Sequence, residues 1–186
     1  MKKQSVIFFL LAVCFPAFLH AEDLREENFE NGLGSWKPRF GERDADVKIV
    51  SDPDNEENQV CRLFLDPTDL PEPTRKEQTI YIAQGPIAVG GGNEVQLSAK
   101  CRIEGSSVSA GFYVFFVDQE TNEKQTAPID DEGRLQGDTA DQGKWETIKQ
   151  QVVVPDGFTQ MYVQLSLKGE DGTAWFDEVE IKIEYP

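Results

Sequence analysis

The residue types best placed to do chemistry in this chain are acids set among aromatics, one near each end. Near the start, Asn28-Phe29-Glu30 lies within NFENGLGSW; near the end, Trp175-Phe176-Asp177 lies within GTAWFDEVEIKIE. A carboxylate among aromatic side chains is costly unless it is hydrogen-bonded, paired or coordinated. A cation is one such compensation, since calcium takes about six to eight oxygen ligands, and carboxylates and carbonyls of neighbouring strands can supply them. A pair of turn acids satisfied by hydrogen bonds is the other reading.

A second chemistry is sugar recognition. Sugar rings offer apolar C–H faces to aromatic side chains and hydroxyls to amides and charged groups. Opposite the apolar parity of their segments stand Tyr81, Tyr113, Phe115, Tyr162, Gln164 and Ser166, with Gln96 and Arg102 in a further segment. On neighbouring strands these would line a polar trough carrying several rings. In GFYVFFV both parities are apolar, so Phe112, Val114 and Phe116 compete with Tyr113 and Phe115 for the outward side. For each ring, an ordinary sheet-surface aromatic is the alternative.

Other chemistries are excluded or poorly supported. The one histidine, His20, falls in an N-terminal leader. A mature chain without histidine has no Ser-His-Asp or Cys-His machinery and lacks the usual zinc ligands. Gly90-Gly91-Gly92 lacks the Lys-Ser/Thr sequel of a phosphate loop and reads as a turn. Paired carboxylates suffice for glycoside hydrolysis, but an abundance of acids is weak support for it, and a solvated surface is the better account of the 34 acids.

The elements that must position these groups read as strands. Apolar residues alternate with period two in Val47-Ile49, Ile80-Ile82, Val152-Val154, Met161-Val163-Leu165-Leu167 and Val179-Ile181-Ile183, and nowhere is a helical period sustained. The expected strands are 45–51, 59–66, 78–89, 94–104, 109–118, 145–154, 160–168 and 174–184, separated by turn segments such as DPDNEEN, GGGNE, EGSS, PDG and GEDG. Their number and spacing predict an all-β antiparallel sandwich of two packed sheets. The polar segment 119–144 is long for a plain connection, and it reads as a mobile surface segment or a binding loop.

Residues 1–21, with Lys2 and Lys3, an apolar run from Val6 to Phe18 and Ala21, fit a secretory signal cleaved before Glu22. A lipoprotein signal ending at Cys14 fits less well, because Val13 precedes that cysteine and Phe-Pro follows it. One domain, 22–186, follows, with no later stretch able to cross a bilayer, and the expected location is secreted or periplasmic. The whole chain carries a formal charge of −16; taking the leader's two lysines from the 18 basic residues leaves 16 against 34 acidic ones, or −18. Such a surface repels phosphate backbones and anionic lipid, which excludes nucleic acid and membrane surfaces as partners. Cys61 and Cys101 lie on the apolar parity of their segments, either as a disulfide or as two buried free thiols.

NFENGLGSW resembles the opening Asn-x-x-Phe-Glu-x-Gly-x-x-x-Trp pattern of secreted carbohydrate-binding modules with a galactose-binding-like jelly-roll fold. Trp145 followed by KQQVVVPDGFTQMYVQLSLKGEDGTAWFDEVEI resembles the closing pattern of the same family. The two ends carry these motifs, and the middle matches in strand rhythm. The resemblance implies a structural calcium held by Glu30 and Asp177, helped by a carbonyl near Asn28 and by an acid of the 52–58 loop, among Asp52, Asp54, Glu56 and Glu57. It also implies that Trp36, Trp145 and Trp175 pack in the core. The expected task is non-catalytic binding of a polysaccharide or cell-surface glycan. The rivals are a structural or adhesive envelope protein contacting other proteins, and a small carboxylate-dependent glycan-cleaving enzyme.

Overall fold

Eleven strands and no helix make up the described residues of the computed structural model, which are 22–38, 47–66, 78–105, 108–127 and 143–186. Period-two alternation in sequence becomes alternation in burial. In β6 (Glu94–Glu104), for example, Val95, Leu97, Ala99, Cys101 and Ile103 are buried while Glu94 and Gln96 face solvent. The remaining strands are β1 (Glu22–Glu27), β2 (Lys37–Pro38), β3 (Val47–Asp52), β4 (Asn55–Leu65), β5 (Gln78–Ala88), β7 (Val108–Val117), β8 (Lys124–Thr126), β9 (Glu146–Val153), β10 (Gln160–Gly169) and β11 (Gly172–Glu184).

They form two antiparallel sheets. The first runs β3-β4-β11-β6-β9 with β1 also beside β11, and the second runs β2-β5-β10-β7-β8. Between the sheets lies one core holding Phe29, Trp36, Leu63, Ile82, Phe112, Phe116, Met161, Leu165 and Phe176. Each such side chain contributes roughly 1.5–3 kcal/mol of burial. The antiparallel sandwich of two packed sheets expected from the strand pattern is the fold observed.

Strand β11 organises the first sheet. Its first half (172–176) pairs with β4 and its last half (179–184) pairs with β1 on the same edge, while β6 runs along the opposite edge. Where β4 gives way to β1, the register against β6 slips between Asp177 and Glu180, and Glu178 takes a positive φ of 45°. This bulge switches the inward parity from Ala174 and Phe176 to Val179, Ile181 and Ile183, and it leaves Asp177 buried.

Three strands were not foreseen. β1 is charged along its length and alternates only between exposed and half-buried, so it carries no apolar rhythm to read. β2 and β8 are two and three residues long. Cys61 and Cys101 both lie opposite Phe176, on the two strands flanking β11. Two strand spacings, about 9.5 Å, separate their backbones, beyond the roughly 7 Å that a disulfide can span. Both are therefore buried free thiols. Residues 1–21 and 128–142, which include the leader and most of the 119–144 segment, lie outside the described residues. No helix among the described residues is long and apolar enough to cross a membrane.

Candidate functional site

The outer face of the second sheet gathers most of the rings nominated from sequence. Register places Tyr81 (β5), Ser166 (β10) and Gly111 (β7) in one row, then Ala83, Gln164 and Tyr113 in the next, then Tyr162 beside Phe115. Phe112, Val114 and Phe116 face the core, which settles the parity of GFYVFFV: Tyr113 and Phe115 point outward and are half-buried. Five nominated residues, Tyr81, Tyr113, Phe115, Tyr162 and Gln164, thus share one face of three adjacent strands.

The floor of this face is built from small side chains. Ala83, Gly111 and Ser166 are buried although they lie on the outward side, and the Ser166 hydroxyl donates to the Gly111 carbonyl at 3.2 Å. Larger rings around a low floor make a trough. Tyr162 and Phe115 stack at 4.8 Å with planes 4° apart, and Phe115 meets Tyr113 at 6.5 Å and 51°. The Tyr113 hydroxyl lies 3.0 Å from Thr126 Oγ1 on β8. Behind Tyr162 stands Gly85, at φ 142°, where an added Cβ would lie 2.7 Å from the ring's Cδ1. Only glycine leaves room for the ring to lie flat there.

Gln96 and Arg102 do not join this trough. Both are on β6, in the other sheet. Gln96 donates to Glu184 at 3.3 Å, and Arg102 pairs with Asp54 at 2.8 Å and Glu104 at 2.7 Å while lying 5.7 Å from the Trp175 ring. The parity argument found a surface position for each but had no means of telling which of two sheets β6 entered. Trp175 and Trp145 are likewise half-buried on the surface side, and of the three tryptophans only Trp36 is in the core. Trp175 faces outward with Arg62 and Arg102 opposite it on its two neighbouring strands.

The first and last strands of the described residues lie side by side, β1 and β11 pairing from Glu22 opposite Glu184 to Glu27 opposite Val179. The acids of the two end motifs are not equivalent, however. Asp177 is 5% exposed, whereas Glu30 is exposed. The two carboxylates grip consecutive residues of β4: Glu30 accepts from the Gln59 N–H at 3.2 Å, and Asp177 accepts from Asn58 Nδ2 at 3.0 Å. Asn28 accepts from the Glu30 N–H at 3.3 Å and so closes a local turn. The acid folded into the opening motif is instead Glu27, which the pattern reading did not single out. It accepts from the Phe29 N–H at 3.1 Å, and its carboxylate occupies the space that a side chain at Gly34 would need.

The 52–58 segment is the tight turn from β3 into β4 rather than a loop, and of its acids Asp52 reaches Asp177's neighbourhood. It accepts from Asn58 Nδ2 at 3.3 Å and from the Trp145 indole at 3.2 Å. Burial pushes the Asp177 carboxyl above its usual range, against the hydrogen bonds from Asn58 and the Glu178 N–H. Burial acts the same way on Asp52, but hydrogen bonds from the Asp54 N–H, Asn58 and Trp145, with the Arg102 charge, outweigh it and hold that carboxyl low. Among the described residues no three His, Cys, Asp or Glu side chains gather as a metal cluster. The donors that do converge are the carboxylates of Asp52 and Asp177 around one side-chain amide.

No family profile matches the sequence, and no curated protein matches it. Solved structures do match. The CBM22-1 xylan-binding domain from Paenibacillus barcinonensis Xyn10C is similar at 15% identity, with a TM-score of 0.61 over 89% of this chain and 97% of that domain. A Clostridium thermocellum endo-1,4-beta-D-xylanase 10B polypeptide, CBM22-1 with its GH10 module, complexed with xylohexaose, is similar at 14% identity and a TM-score of 0.58 over 87% of this chain. This chain spans 28% of that polypeptide. A family 16 carbohydrate-binding module is similar at 13% identity and a TM-score of 0.54, over 82% of this chain and 93% of the module. Together with the sheet order, these likenesses establish that the chain has the jelly-roll β-sandwich fold of carbohydrate-binding modules.

Proposed function

We propose that this protein binds a polysaccharide or cell-surface glycan without cleaving it, through the outer face of the β2-β5-β10-β7-β8 sheet. The observation that carries this reading is the joining of Tyr81, Tyr113, Phe115, Tyr162 and Gln164 on three adjacent strands over a floor of Ala83, Gly111 and Ser166. Rings offer flat apolar surface to sugar C–H faces, and the Gln164 amide and tyrosine hydroxyls meet the sugar hydroxyls at the rim. Of the similar structures described above, one is a xylan-binding domain, one is a xylanase polypeptide complexed with xylohexaose, and one is a carbohydrate-binding module.

The named outward positions carry no Asp or Glu, so the two-carboxylate route to glycosidic cleavage has no pair of acids on these strands. This supports the reading of binding without turnover. The domain acts after secretion, its leader removed near Ala21, and a calcium ion steadies it at the meeting of β3, β4 and β11. Asp52 and Asp177 would hold that ion, together with Asn58 once its amide is turned to present Oδ1, a choice that hydrogen-bond geometry alone decides. This all-oxygen donor set suits a hard cation, with carbonyls or water completing it.

A glycan array run with calcium and with EDTA tests the proposal. Retention on one class of polysaccharide is expected, reduced by Tyr113→Ala in a protein of unchanged melting temperature. A folded protein retained by no glycan would overturn it.

A further inference from the structure

On the opposite side of the molecule, the outer face of the first sheet contains a cleft of about 300 Å³ lined by Gln96, Ser98, Lys149, Gln151, Glu180 and Lys182. Register explains its form. One row across β1, β11, β6 and β9 reads Leu24, Lys182, Gln96, Gln151, and the next reads Glu26, Glu180, Ser98, Lys149. Ser98 is the one short side chain among long ones, so the surface dips over it.

We infer that this cleft is a second, aromatic-free sugar site, so that the two outer faces of the sandwich each hold a glycan chain. The inference takes its ligand class from the function proposed above but concerns a different sheet and different residues. Sugar hydroxyls donate and accept at once, and the two rows interleave amides, a hydroxyl, ammonium groups and two carboxylates that together do the same. The hydrogen bonds now joining these groups are exposed and exchangeable: Ser98 to Glu180 at 3.1 Å, Gln96 to Glu184 at 3.3 Å and Gln151 to Glu94 at 3.4 Å.

Apolar contact is supplied at both ends of the strip. Leu24 is 50% exposed and Val153 54%, and these are the exposed large hydrophobic side chains among the described residues. Leu24 lies on β1, at one side of the face, and Val153 on β9, at the other, in the row beginning Glu22, Glu184, Glu94. Three strand spacings, about 14 Å, separate those strands, which suits an extended oligosaccharide. Within these three rows Glu22, Glu26, Glu94, Glu180 and Glu184 outnumber Lys149 and Lys182. That balance selects a neutral chain and repels one bearing uronate or sulfate groups.

The test is a titration of isotopically labelled protein with xylohexaose and, separately, cellohexaose, followed by amide chemical shifts. Two groups of shifts are expected, one around Tyr113, Tyr162 and Gln164 and one around Gln96, Ser98 and Gln151. The double variant Gln96→Ala/Gln151→Ala should erase the second group and leave the first, and Tyr113→Ala should do the reverse. Shifts confined to the Tyr113 group overturn the second site and leave the proposed function standing. Shifts at neither face, with no glycan retained on an array, overturn both.

Discussion

Asp52 and Asp177 share a single donor: Asn58 Nδ2 lies 3.3 Å from Asp52 Oδ2 and 3.0 Å from Asp177 Oδ2. Two carboxylates held around one neutral amide have room for a cation's charge at that point. Calcium at about a hundred times its dissociation constant would add about 2.7 kcal/mol. In a domain of this size that is a rise of about 5 to 10 °C in melting temperature. Calorimetry with calcium and with EDTA checks this, and Asp177→Asn should abolish the difference.

The same two acids predict opposite responses to pH in metal-free protein. Asp177 sits above its ordinary value of 3.8, so the fold is disfavoured by its ionisation, and stability declines as pH rises from 3.8 through the raised value. Asp52 sits below 3.8, so its contribution is present above that value and is lost as pH falls through the lowered one. Urea midpoints measured from about pH 3 to 7 should show the first slope removed by Asp177→Asn and the second by Asp52→Asn.

Within the aromatic trough, the rings should separate by role. Tyr113→Ala should weaken glycan binding about tenfold, the equivalent of ~1.4 kcal/mol, with little change in melting temperature. Tyr162→Ala removes a stack with Phe115 and uncovers Gly85, so it should also cost stability, by about 1 kcal/mol for the aromatic pair alone. Calorimetric titration beside thermal melting of both variants distinguishes the two.

Cys61 and Cys101 should behave as inert core residues. Burial pushes each thiol up to about 12, so neither supplies thiolate at neutral pH. Native protein should resist maleimide labelling, and both thiols should react once urea unfolds it. Identical melting with and without a reductant is expected, and a fall on reduction would show that a disulfide forms after all.

Much of the fold was legible because burial on one side of a strand imposes alternation on its sequence. All eight expected strands occur, and β6 has the expected bounds, 94–104. β1 was not readable as a strand because EDLREE buries no side chain fully, and it holds its place through pairing with β11 alone. Five of seven nominated ligand residues fell on one face because parity is local. Gln96 and Arg102 went to the other sheet because sheet membership depends on pairing between distant segments, which no local pattern carries. The family resemblance placed Trp175 in the core, but Ala174 and Phe176 take the inward positions ahead of the bulge and Trp175 between them faces outward.

The pairing of Glu22 with Glu184 leaves the domain's entry and exit side by side, about 5 Å apart at adjacent strand positions. A polypeptide can therefore leave an unrelated host at one point of its surface, traverse this entire sandwich and return almost to where it left. Spliced into an exposed turn of a reporter enzyme, the domain would hang from a two-stranded stalk with both broad sides turned to the surroundings.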